Sequence, residues 1–129
     1  MSVKSANFES SEAFDQINAV LANDDATRQE AITNVNGIFT FTLTNEDRET
    51  ESWYLDFKKK GVAGKGTAPD GEKAEVTLVL SEKDFGSLVS GSSSAQRLFM
   101  SGKLKIRGNI MKATKIEAIF SKIQTKAKL

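Results

Sequence analysis

Asn36-Gly37-Ile38-Phe39-Thr40-Phe41-Thr42-Leu43-Thr44 and Trp53-Tyr54-Leu55-Asp56-Phe57 are the stretches on which the fold class turns. In the first, Phe39, Phe41 and Leu43 alternate with threonines. In the second, Trp53, Leu55 and Phe57 alternate with Tyr54, Asp56 and Lys58. A period of two with β-branched and aromatic residues predicts strands with one face buried and one face wet. The polar run Asn45–Glu51 between them predicts a turn. Val76, Leu78 and Leu80 repeat the period, as do Leu104 and Ile106 against Lys103, Lys105 and Arg107. The stretch Gly61–Gly71, with Ala68-Pro69-Asp70-Gly71, reads as strand edge and turn.

Outside this sheet the period changes to that of a helix. Ala13, Phe14, Ile17, Val20 and Leu21 form a stripe after a cap at Ser10 or Ser11, and Asn23-Asp24-Asp25 ends it and starts a short helix with Ala31 and Ile32. Ser81 with Asp84 three residues on resembles a capping box ahead of Phe85, Leu88 and Val89, and Gly91 suits the C-cap. Ser92-Ser93-Ser94 leads to a short helix with Leu98, Phe99 and Met100. Ile110, Ala113, Ile116, Ile119, Phe120 and Ile123 predict a last helix whose far side bears Lys112, Lys115 and Lys122. Helices, a mostly hairpin-linked sheet, then helices again predict an α+β domain with one sheet face covered.

The chain has 129 residues, which suits one domain, 1–129. It contains neither Cys nor His, which excludes disulfides, Cys/His zinc sites and the Ser-His and Cys-His nucleophile systems. No signal-peptide pattern opens it and no run is long and apolar enough to span a membrane, so a soluble, intracellular, non-enzymatic domain is expected. Net charge is +1 but polarised: residues 1–56 sum to −8 and residues 57–129 to +9. From Arg97 onward nine basic residues face one acid, Glu117, a field suited to phosphate or to a solvated surface.

The candidate polar motifs are weak. Gly61-Val62-Ala63-Gly64-Lys65-Gly66-Thr67 fails as a phosphate loop, because Gly66 separates Lys65 from Thr67 and Lys60 stands where a Gly is required. Glu46, Asp47, Glu49 and Glu51 lie on a polar turn without apolar neighbours and read as a solvated loop. Phe39 and Phe41 near Lys58-Lys59-Lys60 alternate as core residues do, so no nucleic acid is expected as a partner. The pattern sends Phe39, Phe41, Trp53, Leu55 and Phe85 between the sheet and its helices. Leu88, Phe99, Met100, Ile116 and Phe120 are expected beside them. A filled core and an apolar cavity leave the same pattern.

The run from Ser90-Gly91 through Phe99-Met100-Ser101-Gly102-Lys103-Leu104-Lys105-Ile106-Arg107-Gly108-Asn109, with Ala113-Thr114-Lys115-Ile116 after it, resembles the sterol carrier protein 2 (nonspecific lipid-transfer) domain family. So do Val35–Phe41, Trp53–Phe57 and Val76–Phe85. The resemblance implies a five-stranded, mostly antiparallel sheet covered on one face by about five helices, with an apolar tunnel between them. It implies a carrier of fatty acids, fatty acyl-CoA esters and sterols, with no catalysis and no cofactor. By position, Phe39, Phe41, Trp53, Phe85 and Leu88 become lining candidates, as do Val89, Phe99, Met100 and Phe120. Family members often have Gln where Ser101 stands, which removes a polar anchor for a headgroup. The basic last third would meet CoA phosphates, phospholipid or an anionic membrane through Lys112, Lys115 and Lys122. Ala127-Lys128-Leu129 is a small-basic-Leu form of the Ser-Lys-Leu peroxisomal address, on a mobile tail, 124–129, that an import receptor would read. The alternative of another class is a protein–protein interaction module without a cavity.

Overall fold

The computed structural model describes residue 8, residues 11–69 and residues 71–127, with backbone alone from 123 onward. Five helices and five strands follow one another as α1 (Glu12–Asn23), α2 (Asp25–Asn34), β1 (Ile38–Thr44), β2 (Thr50–Asp56), β3 (Val62–Lys65), β4 (Val76–Ser81), α3 (Glu82–Ser90), α4 (Ala95–Met100), β5 (Lys105–Gly108) and α5 (Ile110–Ala127). The strands form one sheet in the order β3-β2-β1-β4-β5. Three neighbouring pairs are antiparallel, and β1 with β4 is parallel. The sheet is mostly antiparallel, as the pattern and the resemblance lead one to expect.

Register explains the core. Trp53, Phe41, Leu78 and Ile106 lie opposite one another across four strands, and Leu55, Phe39 and Val76 make a parallel row. Successive side chains alternate between faces, so these rows share the face that the helices cover. Thr40, on the opposite face, donates its hydroxyl hydrogen to the carbonyl of Thr67, which holds the β3–β4 connection across that side. The turn after β2 is closed by Asp56, buried, whose carboxylate accepts from the amides of Lys58 and Lys59 at 2.9 and 3.0 Å. Over the same turn, the ion pair of Lys59 with Glu72 raises the pKa of the amine and lowers that of the carboxyl, chiefly through their hydrogen bond. The acidic turn 45–49 is organised by Asn45, whose side-chain oxygen accepts from the amides of Asp47 and Glu49.

The helix starts follow their capping residues. Asp24 accepts from Thr27 N, Ser81 from Asp84 N and Ser94 from Arg97 N, satisfying amides that a first turn leaves unpaired. Gly91 ends α3 in the left-handed conformation. Ser11 does not cap α1 with its side chain; its hydroxyl donates to the carbonyl of Phe8, and Ser10 lies outside the described residues. Edge strand β3 is sealed by α1: the Asn18 side chain donates to Ala63 O at 2.9 Å and accepts from Ala63 N at 2.7 Å. The amide thus takes the place of a neighbouring strand.

Two boundary expectations are corrected. The last helix does not end near Ile123 but continues to Ala127, so its backbone runs four residues into the stretch expected as a tail. Residues Lys115–Ala127 contain neither Gly nor Pro, so nothing in that stretch breaks the backbone ladder. The side chain of Ile123, and all of Lys128 and Leu129, lie outside the described residues. The apolar stripe of α5 also starts later than expected: Ala113 is buried and Ile110, the first residue of the helix, is 55% exposed.

Candidate functional site

Helices α1, α3 and α5 each contribute one ring to the covered face of the sheet. Phe14 stacks on Trp53 (centroids 5.3 Å apart) and on Phe85 (4.8 Å), and meets Phe41 edge-on at 6.0 Å. Phe41 contacts Phe85 at 5.5 Å and Phe120 at 5.7 Å, and Phe8 closes the far end against Trp53. Offset and edge-to-face pairs at these separations are favourable beyond the area they bury. Phe39, Leu55, Leu88, Val89 and Ile116 are buried in the same cluster. Nine of the eleven expected interior residues are therefore brought together.

Phe99 and Met100 are not. They were expected between sheet and helices, but they are 47% and 77% exposed. Helix α4 has six residues, and a helix shorter than two turns turns one narrow stripe inward, here Ala95 and Leu98. Phe99 and Met100, next in the chain, rotate away from that stripe. Two rings of the aromatic cluster lay beyond the lining set read from the pattern. Phe14, at the centre of the rings, sits on the predicted α1 stripe, so its position was legible and its central role was not. Phe8 has no periodic neighbours, and only the aromatic ring itself could have flagged it.

The lysines divide. Lys112 is not on a solvated face: its amine pairs with Glu75 and donates to Asn36 O at 2.6 Å, tying α5 to the start of β1 and β4. Lys122 pairs with Glu30 across to α2. Lys115 is exposed and, alone of the three, stands outside any described ion pair. Lys115, Lys122 and Glu30 line a cleft of about 480 Å³ between α2 and α5, floored by Val35, Ala118 and Ile119. A second recess of about 220 Å³ lies where α3, the Ser93–Ser94 turn and α5 meet, and two interior candidates, Leu88 and Phe120, line it. A third, of about 520 Å³, runs along α4 beside Arg97, Met100 and Ser101, so the position of the expected Gln is at the surface. Ala127-Lys128-Leu129, expected as a targeting signal, lies outside the described residues apart from the backbone of Ala127.

This arrangement offers buried apolar surface, with Lys115, Lys122, Glu30 and Glu117 on the rims of the recesses beside it. Comparison with known proteins places it. The model of the SCP-2 sterol transfer family matches residues 14–121. The chain is similar to a fatty acid-binding protein of Yarrowia lipolytica, 45% identical over 126 residues that cover 96% of this chain and 98% of the relative. An oleate-induced peroxisomal protein of Candida maltosa is 41% identical over 131 residues, covering 100% of both. Among solved structures, sterol carrier protein 2 from Yarrowia lipolytica in its apo form superposes with a TM-score of 0.89 at 44% identity, covering 96% of this chain and 98% of that one. Sterol carrier protein 2 from Aedes aegypti in complex with palmitate shares the fold, with a TM-score of 0.62 at 19% identity over 87% of this chain and 94% of the other.

Proposed function

The chain belongs to the SCP-2 sterol transfer family, and on that premise we propose that it is a carrier, not an enzyme, that holds a long-chain fatty acid, fatty acyl-CoA or sterol between its sheet and helices and delivers it to membranes or enzymes. The observation that supports this reading best is the contiguous aromatic and aliphatic surface on the covered face, from Trp53 and Phe41 to Phe85, Leu88 and Phe120. Burying an acyl chain there would be driven by about 25 cal/mol per Å² of apolar surface withdrawn from water. The recess at Leu88 and Phe120 is the access route in this proposal, and the rings shift to admit the chain. Lys115 and Lys122, on the α2–α5 cleft, would hold the phosphates of an acyl-CoA.

The same reading places the protein in the peroxisome, with Ala127-Lys128-Leu129 read there by an import receptor. The relative in Candida maltosa, named for that compartment, supports it. Removal of Leu129 from an amino-terminally tagged chain is expected to leave the protein in the cytosol.

The deciding experiment for the carrier is thermal denaturation of delipidated protein with oleate or palmitoyl-CoA below micelle concentration. A ligand at 100 times its dissociation constant adds about 2.7 kcal/mol to the folded state. For a chain of this length the melting temperature should rise by roughly 8–15 °C and then saturate. No shift with either lipid would favour the protein-interaction module instead.

A further inference from the structure

Among the described residues the large apolar side chains left in water are Phe99 (47% exposed), Met100 (77%), Ile110 (55%) and Met111 (77%). All four come from the end of α4 and the first turn of α5, the two segments that flank edge strand β5. Helix α5 touches both α4 and β5, so these segments share one edge of the molecule. Residues 97–116 contain six cations and no acid. Arg97, Lys103, Lys105 and Arg107 are exposed and outside the described ion pairs. The α4 recess, lined by Arg97 and Met100, and the recess that reaches Leu88 and Phe120 have Ser94 in common.

We infer that this edge is the surface by which the chain docks on an anionic phospholipid bilayer, with Phe99, Met100, Ile110 and Met111 at the acyl boundary and Arg97 and Lys103 on lipid phosphates. The inference deepens the carrier reading and rests on it. Four exposed apolar side chains beside cations outside the described ion pairs, on a stretch 97–116 that carries no acid, complement a surface whose outer layer is negative and whose inner layer is apolar. Flexible methionines suit a fluid partner better than a fixed one. Because the two recesses adjoin at Ser94, docking sets the route to Leu88 and Phe120 against the membrane. A lipid could then pass with little exposure to water.

Co-sedimentation of the full chain with phosphatidylcholine vesicles, with and without phosphatidylserine, tests this. The variants are Phe99→Ser with Met111→Ser, Arg97→Gln with Lys103→Gln, and, as a control of equal charge change at the opposite side of the sheet, Lys58→Gln with Lys60→Gln. Each cation near an anionic surface strengthens binding about fivefold, so the Arg97/Lys103 variant should bind phosphatidylserine vesicles about 20–30-fold more weakly at low salt, with the gap closing as salt rises. The Phe99/Met111 variant should lose about tenfold, and this loss should persist in salt. The control should stay within about twofold of the parent. All of them should bind oleate in vesicle-free solution as the parent does. A control as weak as the Arg97/Lys103 variant, or edge variants that bind like the parent, would overturn the docking surface. A parent that binds oleate but no vesicle would also overturn it, leaving the edge to an acidic protein. A parent that binds vesicles but not oleate would remove the carrier reading and keep the docking surface.

Discussion

The seam under α1, α3 and α5 and the edge around β5 are built from the same kinds of residue, yet one is dry and the other is wet. In the seam, Phe85, Leu88 and Val89 of α3 lie over β1 and are buried with Phe14 and Phe120. At the edge, Phe99 and Met100 end α4 and Ile110 and Met111 begin α5, adjacent pairs rather than a helical stripe, and beside them the sheet stops at β5. Apolar periodicity marks residues that would gain from burial; whether they obtain it depends on how far the sheet extends. The aromatic seam therefore carries stability, and the edge is free to carry recognition.

Breaking the dry side should have the largest effect. Phe14→Ala removes a ring that stacks on two others and meets a third, leaving a cavity at the centre of the cluster. A loss of about 3–5 kcal/mol is expected, which thermal denaturation would read as a fall of about 10–20 °C. A fall no larger than that of Phe99→Ala would erase the distinction between the two regions.

The joint between the regions is Gly108, where φ is +97° and an added Cβ would stand 2.1 Å from the carbonyl oxygen of Glu75. Gly108→Ala must push β5 away from the start of β4, and a loss of about 2–4 kcal/mol should follow in urea denaturation. Near-parent stability would show that the β5 edge is looser than its pairing with β4 implies.

Leu88→Trp asks whether the seam is solid. Leu88 is 4% exposed and lies where a lipid would pass. If the rings yield to a ligand, the delipidated variant should keep its stability within about 0.5 kcal/mol while oleate titration shows weakened binding; a solid core would be overpacked at a cost of about 1–3 kcal/mol. That second result, with oleate binding intact, would place the lipid elsewhere.

The smallest change is expected at the wet edge. Phe99→Ser with Met111→Ser should leave the melting temperature within about 2 °C of the parent, since neither side chain packs on the core. A larger fall would mean that the edge belongs to the folding unit after all.

Much of this was legible in the chain and some was not, for particular reasons. The strands at Phe39–Leu43, Trp53–Leu55 and Val76–Leu80 could be read because alternation tests one face against the other at every step. Asp24, Ser81 and Gly91 could be read because a cap is a local event. Phe99 and Met100 could not, because six residues do not define a stripe. Nor could Lys112 and Lys122: a lysine on the polar side of a helix is indistinguishable from a free one until Glu75 and Glu30, far away in the chain, are brought beside it. Asn18 gave no sign that it would bond both ways to Ala63, 45 residues on.

Local patterning thus determined which segments are strands and helices, which face of each is apolar, and that the fold is of α+β type, since period, caps and turns are properties of neighbours in the chain. The resemblance of residues 99–116 to a carrier family was also present in the letters alone. Tertiary structure alone decided that five aromatic rings from five elements meet Phe8 in one cluster, that the sheet ends where Phe99 and Met111 begin to need it, and which lysines are spent on ion pairs. Those outcomes depend on distances between residues remote in sequence, and on the finite width of a five-stranded sheet.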